Sequence, residues 1–166
     1  MSESNSVSRR GFLGVTVAGA AVPYFVPESA LGAPGKPGAN DKIAVALIGC
    51  GGMGMGNLGS CARFPDVVVA GVCDVWPQRR EAAQAKYKPT AKAYHDYHDV
   101  LQEKGIDGVI VGTPPHWHAL QTIEACEAGK DVYCQKPMTM YLDEALAVRR
   151  AAEKHHRITQ VGTQIH

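Results

Sequence analysis

The 166-residue sequence lacks the features that mark several protein classes. Its 17 Lys and Arg residues are matched by 16 Asp and Glu residues, so it has neither a basic field for nucleic acid nor an acidic tail. The five cysteines, an odd number, include no C-x-x-C pair and stand mostly in apolar runs, where a thiol is usually a buried side chain. We therefore expect a globular protein with no disulfide framework and no nucleic-acid partner.

The first 33 residues also lack a good membrane-spanning helix. The uncharged stretch 11–26 is shorter than the roughly 20 apolar residues a span needs, and Pro23 and several glycines interrupt it. It follows Arg9-Arg10 and precedes small residues at Ala30–Ala33, which is the order of a signal peptide. An arginine pair before an apolar segment matches the twin-arginine signal. We predict that residues 1–33 direct export to the periplasm by the twin-arginine machinery, with cleavage between Ala30 and Ala33.

The rest of the chain divides into a Pro- and Gly-rich linker, 34–40, and a domain, 41–166, in which strand and helix patterns alternate. The predicted strands are 42–48, 67–73, 90–94, 108–111, 131–134 and 158–161. The predicted helices are 54–64, 77–87, 97–104, a helix capped by Thr113 with Pro114 at its first position, and 142–156. Strict alternation with short connections predicts an α/β fold, a doubly wound parallel sheet of Rossmann type with strand order 3-2-1-4-5-6.

A glycine-rich loop follows the first predicted strand. Residues 49–54 read G-x-G-x-x-G and open a helix, the context in which this string indicates dinucleotide binding. Gly49 would make the tight turn, Gly51 would let the backbone approach a pyrophosphate, and Gly54 would let the helix pack on the strand. The helix N-terminus would then offer N–H groups to the phosphates.

Asp74 ends the second predicted strand, twenty residues after Gly54. A carboxylate in this position accepts hydrogen bonds from the adenosine ribose and repels a 2′-phosphate. The sequence therefore favours NAD as cofactor, while NADP stays possible because Arg79 and Arg80 lie nearby.

Several strings together resemble the Gfo/Idh/MocA oxidoreductases in order and spacing, and the end of the chain, 160–166, is similar to their exported, sugar-related branch. The strings are 46–54, 71–74, 113–118 and 128–137. The resemblance implies that Thr113 and Pro115 shape a loop against the nicotinamide and that His118 lies near it. The predicted cofactor-binding residues are therefore Gly49, Gly51, Gly52, Met53, Gly54, Asp74, Thr113, Pro115 and His118.

The resemblance also implies a catalytic lysine. Lys136 stands where the family has the lysine of a Glu-Lys-Pro motif, which faces the reacting sugar carbon and helps to polarise its hydroxyl. Gln135 replaces the glutamate, so a charge beside Lys136 is missing. The family's matching Lys-Pro bond is commonly cis, and we expect the same of Lys136-Pro137. His116 and His118 form an H-x-H pair, but no further ligands at recognisable spacing accompany them, so no metal site is predicted.

The implied activity is hydride transfer between NAD(P) and a sugar or polyol. Family members continue into a second α/β domain that binds substrate and often mediates homo-oligomers. We expect this domain to be absent here, so catalysis by this chain alone is not expected. One alternative is an NAD-dependent glycoside hydrolase of the same family. Another is a nucleotide-binding module without turnover.

Overall fold

The computed structural model of the protein describes Gly38 and residues 41–163. The predicted signal peptide, the predicted linker apart from Gly38, and residues 164–166 lie outside the described residues. Within the described part of the chain, no helix combines the length and the apolar character needed to cross a membrane.

The described residues form a six-stranded, fully parallel sheet in the order β3-β2-β1-β4-β5-β6, which confirms the predicted topology. The strands are β1 (Ile43–Ile48), β2 (Val67–Cys73), β3 (Lys92–Tyr94), β4 (Gly108–Val111), β5 (Asp131–Gln135) and β6 (Thr159–Gly162). Because β1 and β4 are neighbours in the sheet but not in the chain, the strand order reverses between them. This reversal is the point at which open α/β sheets bind ligands.

A helix connects each strand to the next. The helices are α1 (Gly52–Cys61), α2 (Pro77–Lys86), α3 (Tyr97–Gln102), α4 (Pro115–Glu127) and α5 (Leu142–His155). Pro77 begins α2 as predicted, since the first helical position needs no N–H donor. The helix α1 begins two residues before the predicted start at Gly54, because the glycine loop already turns at Gly51, the N-cap.

The start of α4 corrects a prediction. Thr113 is not the N-cap; Pro114 takes that position with extended backbone, and Pro115 is the first helical residue. The reason is steric, because a residue that precedes proline is disfavoured in the helical conformation. Pro114 precedes Pro115 and therefore stays extended, which moves the helix start by one residue and frees the Thr113 side chain for another contact.

Helices cover both faces of the sheet, and successive residues of β1 show how. Ala46 and Ile48 pack into a cluster that includes side chains of α3, α4 and α5, whereas Leu47 packs on the other face against Leu58 of α1 and Ala83 of α2. A strand buried on both faces has an almost uninterrupted apolar sequence, which is what 43–48 shows.

Candidate functional site

A cleft of about 930 Å³ lies at the carboxyl ends of the strands, a size within the usual range for cofactor sites. It brings together residues from the loops after β1, β2, β4 and β5. The predicted site residues that line it are Gly49, Gly51, Gly52, Met53, Asp74, Thr113, Pro115, His118 and Lys136. Gly54 lies beneath this surface, buried in α1.

The glycine loop has the geometry that a phosphate-binding turn requires. Gly49 has φ +94°, and a Cβ there would stand 2.7 Å from the backbone of Gly112 and Thr113. A Cβ at Gly54 would collide with the carbonyl oxygen of Gly49, so α1 packs directly on the loop. A Cβ added at Gly51 would have its nearest neighbour 4.0 Å away, so the loop is open where a ligand would approach.

The first turn of α1 is free of side chains that would compete with an anion. Its N-cap, Gly51, provides no side-chain hydrogen bond, and the first turn contains no acidic residue. The first N–H groups of a helix have no partner within the helix and carry partial positive charge. The residues present therefore fit a pyrophosphate at this position.

Asp74 joins the loops that follow β1 and β2, where both line the cleft. Its Oδ2 accepts a hydrogen bond from the Cys50 backbone N–H at 2.8 Å, and its Oδ1 accepts one from the Trp76 N–H at 2.8 Å. The carboxylate thereby fixes the glycine loop as well as the end of β2. Each carboxylate oxygen has a second lone pair, so Asp74 retains the capacity to accept from a ribose hydroxyl.

The loop after β4 is held in place by hydrogen bonds to two side chains of α4, those of Gln121 and His118. The Thr113 hydroxyl donates to Oε1 of Gln121 at 2.7 Å. His118 is 1% exposed, with Nε2 2.7 Å from the Thr113 carbonyl oxygen and Nδ1 2.6 Å from the Pro137 carbonyl oxygen. Carbonyl oxygens only accept, so a neutral imidazole supplies one of the two hydrogens and an imidazolium supplies both. His118 thus bridges the Thr113 loop and the Lys136-Pro137 loop.

Lys136 directly follows β5 and lines the cleft, and the Lys136-Pro137 bond is cis, as predicted. The neighbouring Gln135 is 5% exposed, and its Oε1 accepts a hydrogen bond from the Lys136 backbone N–H at 3.1 Å. Its Nε2 is buried and has no hydrogen-bond partner among the described residues. The amide therefore supports the backbone of Lys136 without placing a charge beside it.

Two exposed aromatic residues also line the cleft, and of these the sequence did not single out Trp76. Trp76 lines one end and is 52% exposed, and the guanidinium carbon of Arg79 lies 4.7 Å from the centre of its ring. Trp117, at the start of α4, lines the cleft and is 42% exposed. Large exposed aromatic side chains in a cleft are a signal for ligand contact, but their exposure is visible only in the fold.

The loop after β3 and the first residues of α3 form a further wall of the cleft, built from His95, Asp96, Tyr97 and His98. Asp96 accepts from the backbone N–H of His98 at 2.9 Å and lies 2.7 Å from its Nδ1. The backbone hydrogen bond and the His98 ring together lower the pKa of Asp96. This wall therefore carries a carboxylate that stays ionised at neutral pH.

The H-x-H pair does not converge on one point. His116 is exposed, whereas His118 is buried with both ring nitrogens against carbonyl oxygens. Among the residues that the structure describes, no three His, Cys, Asp or Glu side chains are grouped as metal ligands would be.

Comparison with known proteins agrees with this geometry. Residues 43–163 match the Gfo/Idh/MocA family model, an oxidoreductase family with an NAD-binding Rossmann fold. Inositol 2-dehydrogenase of Salmonella typhimurium is 33% identical over 122 residues, which are 72% of this chain and 36% of that protein. A glycosyl hydrolase family 109 protein of Stenotrophomonas maltophilia is 33% identical over 140 residues, 78% of this chain and 30% of that protein.

Among solved structures, the WlbA dehydrogenase of Chromobacterium violaceum, in complex with NADH and UDP-GlcNAcA, superposes with a TM-score of 0.69. It is 31% identical, and the match covers 78% of this chain and 37% of that one. The chain thus spans about a third of the length of these relatives. On these grounds the chain belongs to the Gfo/Idh/MocA oxidoreductase family and carries its NAD-binding Rossmann domain.

Proposed function

We propose that this chain is the cofactor-binding part of an oxidoreductase that transfers hydride between NAD(P) and a sugar or polyol. The nicotinamide supplies the hydride chemistry, and the chain's residues hold and orient the cofactor. NAD is favoured over NADP because the Asp74 carboxylate, which lines the cleft beside the glycine loop, would repel a 2′-phosphate on the adenosine ribose. The names of the relatives, an inositol dehydrogenase and a dehydrogenase bound to a nucleotide sugar, support a sugar or polyol as substrate.

The observation that carries this proposal is the arrangement of two groups in one cleft. The open glycine loop and the uncapped start of α1 line one part of it, and Lys136 lines it after β5. An ammonium group within hydrogen-bond distance of a substrate hydroxyl polarises it and assists loss of its proton. Lys136 is the residue we assign to this role, with Gln135 and His118 holding the loops around it.

Calorimetric titration of the full chain with NADH and NADPH, followed by a panel of inositols and sugars assayed for NADH formation, tests the proposal. NADH should bind more tightly than NADPH, and Lys136→Met should leave NADH affinity unchanged; where the unaltered chain forms NADH with a substrate, Lys136→Met should abolish that activity. Lys154→Met, an exposed lysine late in α5, is the control for lost charge. A Kd for NADH weaker than about 1 mM would contradict the assignment of the cleft.

A second candidate is a glycoside hydrolase that uses NAD without consuming it. It is favoured by the relative named as a family 109 glycosyl hydrolase, which matches 78% of this chain. Such an enzyme would release the aglycone of an aryl glycoside with bound NAD and no net formation of NADH. Stoichiometric NADH without cleavage of glycosides would rule it out.

We further propose that the protein is exported to the periplasm by the twin-arginine machinery. The support is sequence alone: Arg9-Arg10, the uncharged stretch after them, and the small residues at Ala30–Ala33. Export in the folded state suits a domain whose cofactor is made in the cytoplasm.

A further inference from the structure

We infer that Arg79 is a cofactor-binding residue whose guanidinium binds the pyrophosphate from the side opposite the α1 N-terminus. The inference rests on the proposed function in one respect, namely that a dinucleotide occupies this cleft. It concerns which side chain supplies the positive charge for that ligand. Two adjacent arginines, Arg79 and Arg80, lie in the first turn of α2.

The two arginines have different surroundings. Arg80 donates from Nη1 to the Asp74 carbonyl oxygen at 2.7 Å and lies 3.4 Å from Nδ1 of His95, so it fixes the end of β2. Arg79 forms no hydrogen bond or ion pair with any residue that the structure describes. It is exposed, it lines the cleft, and Arg80 does not. Arg79 therefore has its full set of donors available to a ligand.

The Arg79 guanidinium is already aimed at the glycine loop. Its Nη1 is the atom nearest to a Cβ placed on Gly51, at 4.0 Å, which is where the backbone would meet a pyrophosphate. The guanidinium carbon lies over the Trp76 ring, 4.7 Å from its centre. Stacking of a guanidinium on an aromatic face keeps it in place without using its N–H donors. The pair is thus preorganised beside the loop.

The charges of the cleft explain why a cation is needed there. Asp74 and Asp96 line this end, and both repel a doubly charged pyrophosphate. Among the described residues that line the cleft, the arginine and lysine side chains are those of Arg79 and Lys136. Arg79 follows β2 whereas Lys136 follows β5, and β1 and β4 lie between these two strands in the sheet. Helix N–H groups offer only partial charges. Arg79 supplies the full charge and the planar pair of donors that phosphate oxygens prefer.

Calorimetry on the full chain distinguishes this role from others, with NADH, ADP-ribose, adenosine and NADPH as ligands. Arg79→Gln should weaken NADH and ADP-ribose about ten-fold each, because a charge-assisted hydrogen bond is lost, and should leave adenosine unchanged. The salt dependence of NADH binding should fall as well. Arg79→Lys, which keeps the charge but loses the fork and the stacking, should restore part of the affinity.

Arg149→Gln is the matched control, since it removes the same charge from an exposed ion pair on α5 outside the cleft. Equal weakening by Arg149→Gln would overturn the inference, because the effect would be one of net charge. Weakening of NADPH alone would overturn it too and would assign Arg79 to a 2′-phosphate. If the unaltered chain binds NADH and Arg79→Gln binds equally well, only this inference fails; if the unaltered chain binds none of the ligands, the proposed function fails with it.

Discussion

Gly51 and Gly54 lie about one turn apart at the start of α1, yet alanine should affect stability at one of them and NADH binding at the other. A methyl at Gly54 would collide with the Gly49 carbonyl and stand 3.1 Å from Leu47, so Gly54→Ala should lower the free energy of unfolding by about 2 kcal/mol or more. Gly51→Ala has room for its methyl and should fold normally, but the methyl occupies the approach to the loop and should weaken NADH binding. Urea unfolding and calorimetry separate the two effects.

Gly56 provides the control for these substitutions. It lies within α1, with nothing within 4 Å of an added Cβ, so Gly56→Ala should stabilise the protein by up to about 1 kcal/mol through helix propensity. NADH affinity should not change. Loss of stability in Gly51→Ala equal to that in Gly54→Ala would contradict the expectation that the loop accommodates a methyl group at Gly51.

His118 is expected to act through the two loops that it joins. Truncation by His118→Ala removes both ring nitrogens from the buried carbonyl oxygens of Thr113 and Pro137 and leaves at least one of them without its donor, which should cost about 2–5 kcal/mol of stability. His118→Asn places an amide near the former Nδ1 and His118→Gln near Nε2, so each should recover part of the loss.

The two conservative variants distinguish packing from positioning. His118→Asn places an amide donor toward Pro137 and should preserve the Lys136 loop, whereas His118→Gln places one toward Thr113 and should preserve the loop after β4. Amide hydrogen exchange at the two loops measures this directly. Equal protection of both loops in both variants would contradict a bridging role.

At the scale of elements, the sequence predicted the order of all strands because the apolar runs are long and the alternation is strict. It missed details that depend on neighbouring residues. Pro114, and not Thr113, caps α4, because consecutive prolines restrict each other. Nothing in the sequence separates Arg79 from Arg80, because the distinction depends on which of them reaches the Asp74 carbonyl once α2 has docked.

Lys130 forms a buried contact between elements that the sequence does not predict. It precedes β5, is 5% exposed, and donates from Nζ to the carbonyl oxygens of Glu103 at 2.6 Å and Ile106 at 2.8 Å, which fixes the connection from α3 to β4. Lys130→Met would leave both carbonyls without their donor and should lower the free energy of unfolding by about 2–4 kcal/mol.

Lys92→Met is the matched control for Lys130→Met. Lys92 pairs with the side chain of the same Glu103 at 3.0 Å, but it is exposed, so its loss should cost less than about 1 kcal/mol. Both variants are compared by urea unfolding at pH 7. If the two cost the same, the buried contacts of Lys130 contribute no more than a surface ion pair.

At the scale of the whole molecule, export can be tested independently of the fold. Arg9→Lys together with Arg10→Lys should leave an uncleaved precursor in the cytoplasm, because the arginine pair is what the twin-arginine signal requires. The control is Arg149→Lys with Arg150→Lys, an arginine pair in α5 whose replacement should leave export normal. Cell fractionation with an immunoblot reads the outcome, and normal delivery of the first double variant to the periplasm would refute the proposal.

Alkaline pH should weaken the whole domain, because several groups buried around the sheet titrate late. Burial is the main cause in each case: it raises the pKa of Cys50 and Cys73 from 9.0 to about 12, that of Cys134 from 9.0 to about 11, and that of Tyr94 from 10.0 to about 12. A raised pKa means that the folded state keeps protons that the unfolded chain releases. The stabilisation is complete below the unfolded value and is lost as pH rises through the folded one.

We therefore expect the free energy of unfolding to be nearly constant up to about pH 8 and to fall progressively between about pH 9 and 11, as measured by urea unfolding under reducing conditions. Tyr94→Phe should reduce the slope above about pH 10, since Tyr94 donates to Glu103 and is replaced by a group that does not titrate. Lys130 has the opposite effect, because burial lowers its pKa. The unfolded chain then binds a proton that the folded state releases, so this group favours the folded state more as the pH rises. A free energy that stays flat or rises to about pH 11 would mean that the buried thiols and Tyr94 do not hold their protons against solvent.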